Sequence, residues 1–379
     1  MNTGPGEVSA PAPRSAWVRA AAVVVVTRIV FMVLAYVGSY FLSPDTEGPP
    51  GLGFFDIWLR WDGIRFLAIA DQGYLAPEST PNATAFFPLF PLLLRALTTI
   101  GLPGVLAGML ISTLASWIAL AYLHLLSEDH EQGTGRSAVL YLALFPTAVF
   151  LIAPYSESVF LAGAIAAFYY ARLGRWHLVG IPAAVAMGAR FAGVFLLAGL
   201  AVEFLRQRDL SASRVANAGL SLVVGLMPLL GYAAFLSQTK GDPFYFFVDQ
   251  RLGWGRALTG PLASLATSVG NMDVIDTGNM MMAYRLELVG ALVGIALVGW
   301  AAVRGEWGYA TFMGLSMAAL LTSTEYMSVP RIVLTFFPAA IFVTLWTKSR
   351  ENARDLYLAA TTCLMAIGVL AYTRGLWFF

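Results

Sequence analysis

Residues 177–204 read HLVGIPAAVAMGARFAGVFLLAGLAVEF, an apolar stretch with Arg190 near its middle. Arginines flank it on both sides, at Arg172, Arg175, Arg206 and Arg208. Lysine and arginine beside membrane spans collect on the cytoplasmic side, so the chain must enter and leave this stretch from the same side. We therefore predict a hairpin of two short helices, broken at residues 188–193, with Arg190 at its outward tip.

The composition of the whole chain is typical of a membrane protein. Of the 379 residues, 58% are hydrophobic and 12% are charged, whereas soluble domains have about 45–50% and about 25%. A soluble globular protein is therefore excluded. Apolar runs occur at 16–42, 86–100, 104–126, 137–153, 156–171, 177–204, 216–237, 284–303, 307–324, 331–347 and 353–373. They predict an all-α polytopic membrane protein of about 10–11 hydrophobic helices, some of them short or broken.

Net charge and cysteine content exclude further classes. Lysine and arginine number 23 and aspartate and glutamate 22, so the formal charge is +1. Binding to nucleic acid depends on a basic excess that neutralises phosphates, and we therefore expect no nucleic-acid partner. The single cysteine, Cys363, lies in an apolar run, which excludes an internal disulfide and a metal site built from cysteines.

The chain is predicted to form one membrane domain, at 16–379, after a disordered cytoplasmic tail at 1–15 that is rich in Pro, Gly, Ser and Ala. Two polar segments interrupt the apolar pattern, at 43–85 and 238–283. The basic clusters assign both of them to the outside. The first polar segment is then the first outer loop, and the second polar segment is a second outer segment.

One apolar run is predicted to be an incomplete span. The first span exits and the loop 127–136 must lie inside, so only one of 86–100 and 104–126 can cross fully. We assign the incomplete span to 86–100, which contains Pro88 and Pro91. Short helices and broken backbone at membrane depth are tolerated where they are buried in protein or line a cavity. The sequence therefore predicts a cavity that opens outward.

Apolar residues in the first polar segment recur with a helical period from position 57 to 68. This pattern predicts an amphipathic helix along the membrane interface, anchored by Trp58 and Trp61. Asp62 lies one turn before Arg65, and two interpretations are open. The two side chains form a surface ion pair, or Asp62 acts as a general base, since a carboxylate in a partly dry site can accept the proton of an alcohol.

Several ordered motifs of this chain resemble the PIG-V family, which contains the second mannosyltransferase of GPI-anchor synthesis. The motifs are Arg60-Trp61-Asp62, Gly73-Tyr74, Phe86-Phe87-Pro88, Phe145-Pro146, Ala153 to Phe160, Arg190 to Gly193, Gly241-Asp242-Pro243 and Val329-Pro330-Arg331. The last two are typical of bacterial relatives, and the excess of arginine over lysine also favours a bacterial source. One departure concerns Phe191 and Ala192, because relatives often carry polar residues or a proline at these positions.

The resemblance implies a GT-C type glycosyltransferase, a polytopic enzyme that uses a lipid-phosphate sugar and an acidic residue of the first outer loop. Asp62 matches the family's loop aspartate and is our candidate general base, with Asp56 and Asp71 as alternatives. The implied reaction transfers mannose from polyprenyl-phosphate-mannose to a hydroxyl of a glycolipid or related glycan acceptor, with inversion. The expected location is the cell membrane, with the active site on the extracytoplasmic face.

A leaving phosphate gains negative charge, and fixed cations stabilise it. Arg190 and Arg331 are the candidate donor phosphate-binding residues, since an arginine fork matches phosphate oxygens and a charge inside the membrane usually marks a functional site. The alternative for each is reaching to lipid headgroups or pairing with Glu157 or Glu325. Arg28, in the first span, is assigned a structural role.

Further substrate contacts are expected from polar residues predicted at the outer side, namely Arg65, Tyr155, Glu157, Asp242 and Gln250. Glu157 has two interpretations of equal weight, a contact with a sugar hydroxyl or a pair with an arginine. The aromatic and basic stretch from Asp242 to Trp254 suits a lipid headgroup or an acceptor, or it is an aromatic belt at the interface.

We expect no cofactor and no metal site. The histidines His124, His130 and His177 fall near the inner side, away from the outer carboxylates. A magnesium or manganese site held by Asp56 and Asp62 is an alternative that two carboxylates alone do not establish.

The main alternative function is a transporter or flippase for a lipid-linked sugar, in which the cavity and its arginines bind the substrate without reacting. Transporters often contain two related halves, and no internal repeat is detectable here. A GT-C enzyme that uses another lipid-linked sugar is a further alternative.

Overall fold

The computed structural model describes residues 13–41, 53–76, 80–208, 210–274 and 278–378. Its α-helices are α1 (Pro13–Tyr36), α2 (Asp62–Gln72), α3 (Leu89–Thr99), α4 (Gly104–His130), α5 (Gly135–Ala143), α6 (Glu157–Arg172), α7 (Gly180–Ala189), α8 (Gly193–Arg206), α9 (Ala212–Lys240), α10 (Tyr245–Trp254), α11 (Pro261–Val274), α12 (Gly278–Val303), α13 (Trp307–Leu321), α14 (Val329–Val333), α15 (Pro338–Thr347) and α16 (Glu351–Thr373). Within these ranges there is no β-strand, and one isolated bridge joins Leu258 to Ser323. The predicted all-α fold is confirmed.

Within the described part of the chain, five helices are long and apolar enough to cross a membrane: Arg14–Phe41, Gly104–His130, Ala212–Lys240, Met280–Val303 and Glu351–Thr373. The shorter apolar helices include Leu89–Thr99, Trp307–Leu321 and Pro338–Thr347. A full span needs about 20 residues, so the short helix at 89–99 agrees with the expected incomplete span. The protein is a multi-pass membrane protein.

The predicted tail at 1–15 lies mostly outside the described residues, which begin at Pro13. Helix α1 starts at that proline, so the expectation of disorder is wrong for residues 13–15. Proline suits the first turn of a helix, where its missing N–H would have no partner in any case.

The apolar run 137–153 is predicted to be one helix, but the structure divides it. Helix α5 ends at Ala143, and a buried, irregular segment leads from there to α6, with one short 3₁₀ turn at Ala148–Leu151. Pro146 lies in this segment, and a proline lacks the N–H that a continuing helix would use. The run 331–347 is divided in a similar way, because α14 ends at Val333 and α15 begins at Pro338.

Side chains from earlier helices satisfy the carbonyl groups of the irregular segment. Arg28 of α1 donates from Nη2 to the Leu151 carbonyl at 2.6 Å. Ser116 of α4 donates to the same carbonyl at 2.7 Å, and Ser112 donates to the Ala153 carbonyl at 2.8 Å. Buried carbonyls in an apolar medium need such partners. The contact agrees with the structural role expected of Arg28.

The hairpin predicted at 177–204 is present. Helix α7 ends at Ala189, Arg190 is extended, and α8 begins at Gly193. Both short helices pack on α6, which is buried along most of its length. A side chain at Gly193 would put its Cβ 2.4 Å from the Cα of Met187, so only glycine allows this close return of the chain.

Charged residues gather at both ends of α6. Glu157 begins the helix and Arg172 ends it, about 22 Å away at about 1.5 Å per residue. At the Arg172 end, Arg172 pairs with Glu306 at 2.9 Å and Arg206 with Glu203 at 3.2 Å. The basic clusters around α7 and α8 therefore meet at this end, whereas the arginine of the hairpin break lies with Glu157 at the opposite end.

Candidate active site

A cavity of about 520 Å³ lies at the Glu157 end of α6. Its wall combines the first polar segment, the hairpin break, helix α10, the stretch 316–332 and Trp377 near the C-terminus. The polar side chains that line it include Asp62, Ser156, Arg190, Gln250, Arg256 and Arg331. Its size is typical of a small-ligand pocket, and an apolar wall with a few convergent polar groups is the usual composition of one.

Asp62 is the first residue of α2, and an unusual backbone precedes it. Trp61 has φ 41° and ψ −111°, a conformation that non-glycine residues rarely adopt and that costs about 1–3 kcal/mol. The carbonyl of Arg60, just before it, accepts the Tyr155 hydroxyl at 3.0 Å and the Gly63 N–H at 2.8 Å. These contacts hold the bend that turns the Asp62 carboxylate toward the cavity.

The amphipathic helix predicted from position 57 is interrupted. A 3₁₀ turn covers Asp56–Trp58, and α2 begins only at Asp62. Trp58 is fully buried and packs beside Tyr372 of α16, so its expected role as an interface anchor is wrong. Trp61 lines the cavity and makes an edge contact with Trp377. Periodicity identifies an apolar face but does not distinguish lipid from a neighbouring helix.

Arg331 belongs to α14, a helix of one turn whose start is fixed by Glu287. The Glu287 carboxylate accepts the N–H groups of Ser328 at 2.7 Å and Val329 at 2.6 Å. Ser328 has φ 63°, the left-handed conformation that allows the chain to turn into the helix. The short helix aims Arg331 at the cavity, where its guanidinium lies over the Tyr155 ring at 4.5 Å.

The guanidinium of Arg331 joins two carboxylates. Its Nη1 donates to Oδ2 of Asp62 at 2.6 Å, and its Nε donates to Oε1 of Glu157. Nη1 of Arg190 donates to the same Glu157 oxygen and, at 3.3 Å, to the Ser156 hydroxyl. Asp62, Arg331, Glu157 and Arg190 therefore form one continuous chain of alternating charge, built from four separate parts of the sequence.

Glu157 is fully buried and lies behind the cavity wall, as the partner of two arginines. Its second oxygen, Oε2, has no hydrogen-bond partner among the described residues. Of its two interpretations, the structure gives the contact with arginine. Glu325, the other partner considered for Arg190 and Arg331, instead accepts hydrogen bonds from Asn271 and from Tyr284.

The remaining predicted substrate contacts are distributed around the site. Gln250 lines the cavity. Tyr155 lies beneath Arg331 and is fully buried. Arg65 stacks on Trp254, 5.0 Å from the ring centre, and donates to the Pro81 carbonyl at 2.7 Å, outside the cavity lining. The Arg65 side chain therefore contacts Trp254 and Pro81, and it does not pair with Asp62.

Three of the candidate carboxylates, Asp242, Asp56 and Asp71, lie outside the cavity lining. Asp242 accepts the Phe244 N–H at 2.8 Å and thereby supports the turn into α10. Asp56 accepts the Gly53 N–H at 2.6 Å, and Asp71 is exposed near the end of α2. Of the three aspartates considered as a base, Asp62 is the one that lines the cavity.

The sequence reasoning missed three residues that build the site. Arg256 lines the cavity. Glu287 caps α14, and a lone carboxylate in an apolar run was the signal that could have revealed it. Buried Asp249 accepts the backbone N–H of Thr84 at 3.0 Å and its hydroxyl at 2.6 Å, which joins the two polar segments.

Within the described ranges, no three His, Cys, Asp or Glu side chains come together in a way that could hold a metal ion. Asp56 and Asp62, the pair considered for magnesium or manganese, have different partners. Asp56 closes a turn with Gly53, and Asp62 is bound to Arg331.

The fold and cavity define a class: a helical, multi-pass membrane protein with a carboxylate and arginines in a cavity at one end of its bundle. The family model for Mannosyltransferase (PIG-V) matches residues 52–210. This stretch contains Asp62, Glu157 and Arg190. This match agrees with the resemblance recognised from the sequence motifs, and this part of the chain is similar to the PIG-V mannosyltransferase family.

Two relatives extend the similarity. GPI alpha-1,6-mannosyltransferase 2 of Rattus norvegicus is 31% identical over 229 residues, which cover 56% of this chain and 45% of the relative. GPI mannosyltransferase 2 of Yarrowia lipolytica is 27% identical over 212 residues, covering 54% of this chain and 55% of the relative. The chain thus matches about half the length of these curated relatives.

Proposed function

We propose that this protein is a membrane mannosyltransferase that transfers mannose from polyprenyl-phosphate-mannose to a hydroxyl of a glycolipid or related acceptor. The reaction inverts the configuration at the anomeric carbon, and Asp62 is the general base. The matched relatives are named as mannosyltransferases, which supports this proposal. The single observation that carries it is the ion pair between Asp62 and Arg331 at the cavity wall.

The geometry supports this chemistry in three respects. The Asp62 carboxylate lies in a partly enclosed cavity, where it can accept the proton of an alcohol within hydrogen-bond reach. Arg331 fixes the orientation of that carboxylate, since one of its nitrogens is bound to Glu157 at the same time. Arg190 lines the same cavity and supplies positive charge where a phosphate would leave.

The proposed step is a single displacement. The acceptor oxygen forms a bond to C1 of mannose, and the bond from C1 to the phosphate oxygen breaks. The acceptor proton passes to Asp62, and the electron pair of the broken bond leaves with the polyprenyl phosphate. Arg190 and Arg331 are the proposed donor phosphate contacts, and Gln250 is a proposed contact to sugar or acceptor hydroxyls.

The acceptor is proposed only as a class. The relatives carry GPI in their names, and a GPI precursor is a glycosylated phosphoinositol lipid. A lipid of similar chemistry suits a cavity that combines aromatic side chains, such as Trp61 and Trp254, with arginines. We place the reaction at the extracytoplasmic face of the cell membrane, because the positive-inside rule puts the basic clusters at the opposite end.

Incubation of the purified protein with labelled polyprenyl-phosphate-mannose and a lipid extract tests the proposal. We expect label in a glycolipid product whose new linkage has inverted configuration relative to the donor. Parallel incubations with lipid-linked glucose and arabinose test the sugar. Movement of intact lipid-linked mannose across vesicles without any labelled product would replace this proposal with the transporter alternative.

A further inference from the structure

The three arginines that line the cavity differ in their partners. Arg331 and Arg190 both donate to carboxylates. Among the described residues, Arg256 has no carboxylate within ion-pair distance, and its Nη2 donates to the backbone carbonyl of Met327 at 3.2 Å. Glu325, the other carboxylate of the cavity wall besides Asp62, is held by Asn271 and Tyr284. Arg256 is therefore the cavity arginine whose charge no contacting carboxylate balances.

The backbone around Arg256 is fixed on both sides. Gly255 ends α10 in the left-handed conformation, with φ 64°. The Thr324 hydroxyl donates to the Gly255 carbonyl at 2.8 Å and accepts the Ala257 N–H at 3.0 Å. The loop is thereby attached to the stretch that leads into α14. Since its guanidinium is positioned by backbone groups, Arg256 can bind an anion without first leaving a carboxylate.

We propose that Arg256 binds the phosphate of a lipid substrate in the cavity. The arginine fork matches phosphate oxygens, and a charge-assisted hydrogen bond is stronger than a neutral one. Arg190 and Arg331, which the sequence suggested for this task, have donors already committed to Glu157 and Asp62. Among the described residues, Arg256 is the one of the three that makes no carboxylate contact, so it binds the phosphate most directly, beside Arg190 and Arg331.

This inference rests on the proposed function only in taking the substrates to be lipids with a phosphate. The phosphate has two possible sources, the diester of the sugar donor and the diester of a phosphoinositol acceptor. Both present the same oxygens to a guanidinium. Binding measurements with the separate phosphates distinguish the sources and do not require turnover.

The experiment uses the purified full chain in detergent and follows its tryptophan fluorescence, since Trp61, Trp254 and Trp377 line the cavity. The ligands are polyprenyl phosphate, short-chain phosphatidylinositol and uncharged polyprenol. Arg256→Gln removes the charge but keeps a donor for the Met327 carbonyl, and Arg256→Lys keeps the charge but loses the fork. Arg251→Gln is the control, because Arg251 is exposed on α10, the helix just before Arg256, and lies outside the cavity lining.

We expect Arg256→Gln to weaken the binding of one of the two phosphate ligands by about 10-fold to 100-fold. This is the loss expected when a hydrogen bond between charged groups is removed. Polyprenol binding and the Arg251→Gln control should not change. Weaker binding of polyprenyl phosphate identifies the sugar donor as the source of the phosphate. Weaker binding of phosphatidylinositol identifies the acceptor as the source.

Unchanged affinity of both Arg256 variants for both phosphates, with thermal unfolding as in the wild type, would overturn the inference. If Arg256→Gln does not fold, the Arg256→Lys variant decides, since loss of the fork should still weaken one phosphate ligand. A protein that transfers no mannose yet binds phosphate through Arg256 would refute the proposed function and leave this inference standing.

Discussion

Nη1 of Arg331 lies 2.6 Å from Oδ2 of Asp62, although 269 positions separate the two residues in the sequence. One begins a helix of the first polar segment, and the other belongs to a one-turn helix late in the chain. The pair closes the cavity wall across the molecule. It links the proposed base to the buried carboxylate of Glu157 through one guanidinium group.

Asp62→Asn should reduce the initial rate of mannose transfer by about 100-fold or more, because general base catalysis contributes about 10²–10⁴-fold. The asparagine oxygen can still accept the Arg331 hydrogen bond, so thermal unfolding should change little. Asp71→Asn is the matched control, since Asp71 is on the same helix and exposed. Full activity in Asp62→Asn together with loss in Asp71→Asn would move the base to Asp71.

Glu157→Gln should destabilise the protein by about 3–5 kcal/mol. The change removes the negative charge that Arg190 and Arg331 share, and the guanidinium groups of both arginines are buried or partly buried. The control is Glu131→Gln, which breaks the exposed pair with Lys348 and should cost at most about 1 kcal/mol. Thermal unfolding in detergent measures both. Equal shifts in the two variants would contradict the view that Glu157 holds the site together.

Ser328→Gly should leave stability almost unchanged. Relief of the left-handed conformation, about 1–2 kcal/mol, is offset by the greater freedom that glycine gives the unfolded chain. At Ser237, inside α9, the same change has no strain to relieve and should cost about 0.5–1 kcal/mol. A larger loss at Ser328 than at Ser237 in thermal unfolding would show that the Ser328 side chain has a role beyond its backbone.

Gly193→Ala should be strongly destabilising, because the new Cβ would lie 2.4 Å from the Cα of Met187, a backbone atom that cannot turn away. Gly219→Ala in α9 meets no atom within 4 Å and should stabilise the helix by about 0.5–1 kcal/mol. The comparison uses unfolding temperatures of the two variants. If Gly193→Ala unfolds at the wild-type temperature, the hairpin break does not require this close approach.

The sidedness of the bundle can be measured in a Cys363→Ser background, which removes the single native cysteine. Gln72→Cys, at the cavity end, should react in intact cells with a maleimide that cannot cross the membrane. Gln132→Cys, beside the Lys348 contact at the other end, should react only after the cells are permeabilised. The reverse labelling pattern would place the cavity in the cytoplasm.

The hairpin at 177–204 was predictable because its signals are local. Flanking arginines and the central Gly and Arg residues determine where the helix must break and return. The burial of Trp58 was not predictable, since an apolar helix face packs equally well on lipid or on Tyr372 of a distant helix. The same holds for the end of α5, whose irregular continuation depends on side chains from α1 and α4.

The candidate site was predictable in its residue types and only partly in its contacts. Asp62, Arg190 and Arg331 are candidates from the sequence, because charges at membrane depth are costly and few, and all three line the same cavity. Their arrangement on Glu157 depends on α14 being a single turn, and Glu287 of another helix fixes that turn. No local pattern near Arg331 predicts that one-turn helix. Likewise, no pattern near Arg256 indicates that it lines the same cavity.

The irregular segment between α5 and α6 has a consequence for the order of synthesis. Its carbonyls accept hydrogen bonds from Arg28, Ser112 and Ser116, which all leave the ribosome before the segment does. The nascent chain therefore meets donors that are already in the membrane, and this part can fold while translation continues. The cavity differs, because Asp62 gains its partner only when Arg331 has been made, so the site is completed among the last parts of the molecule.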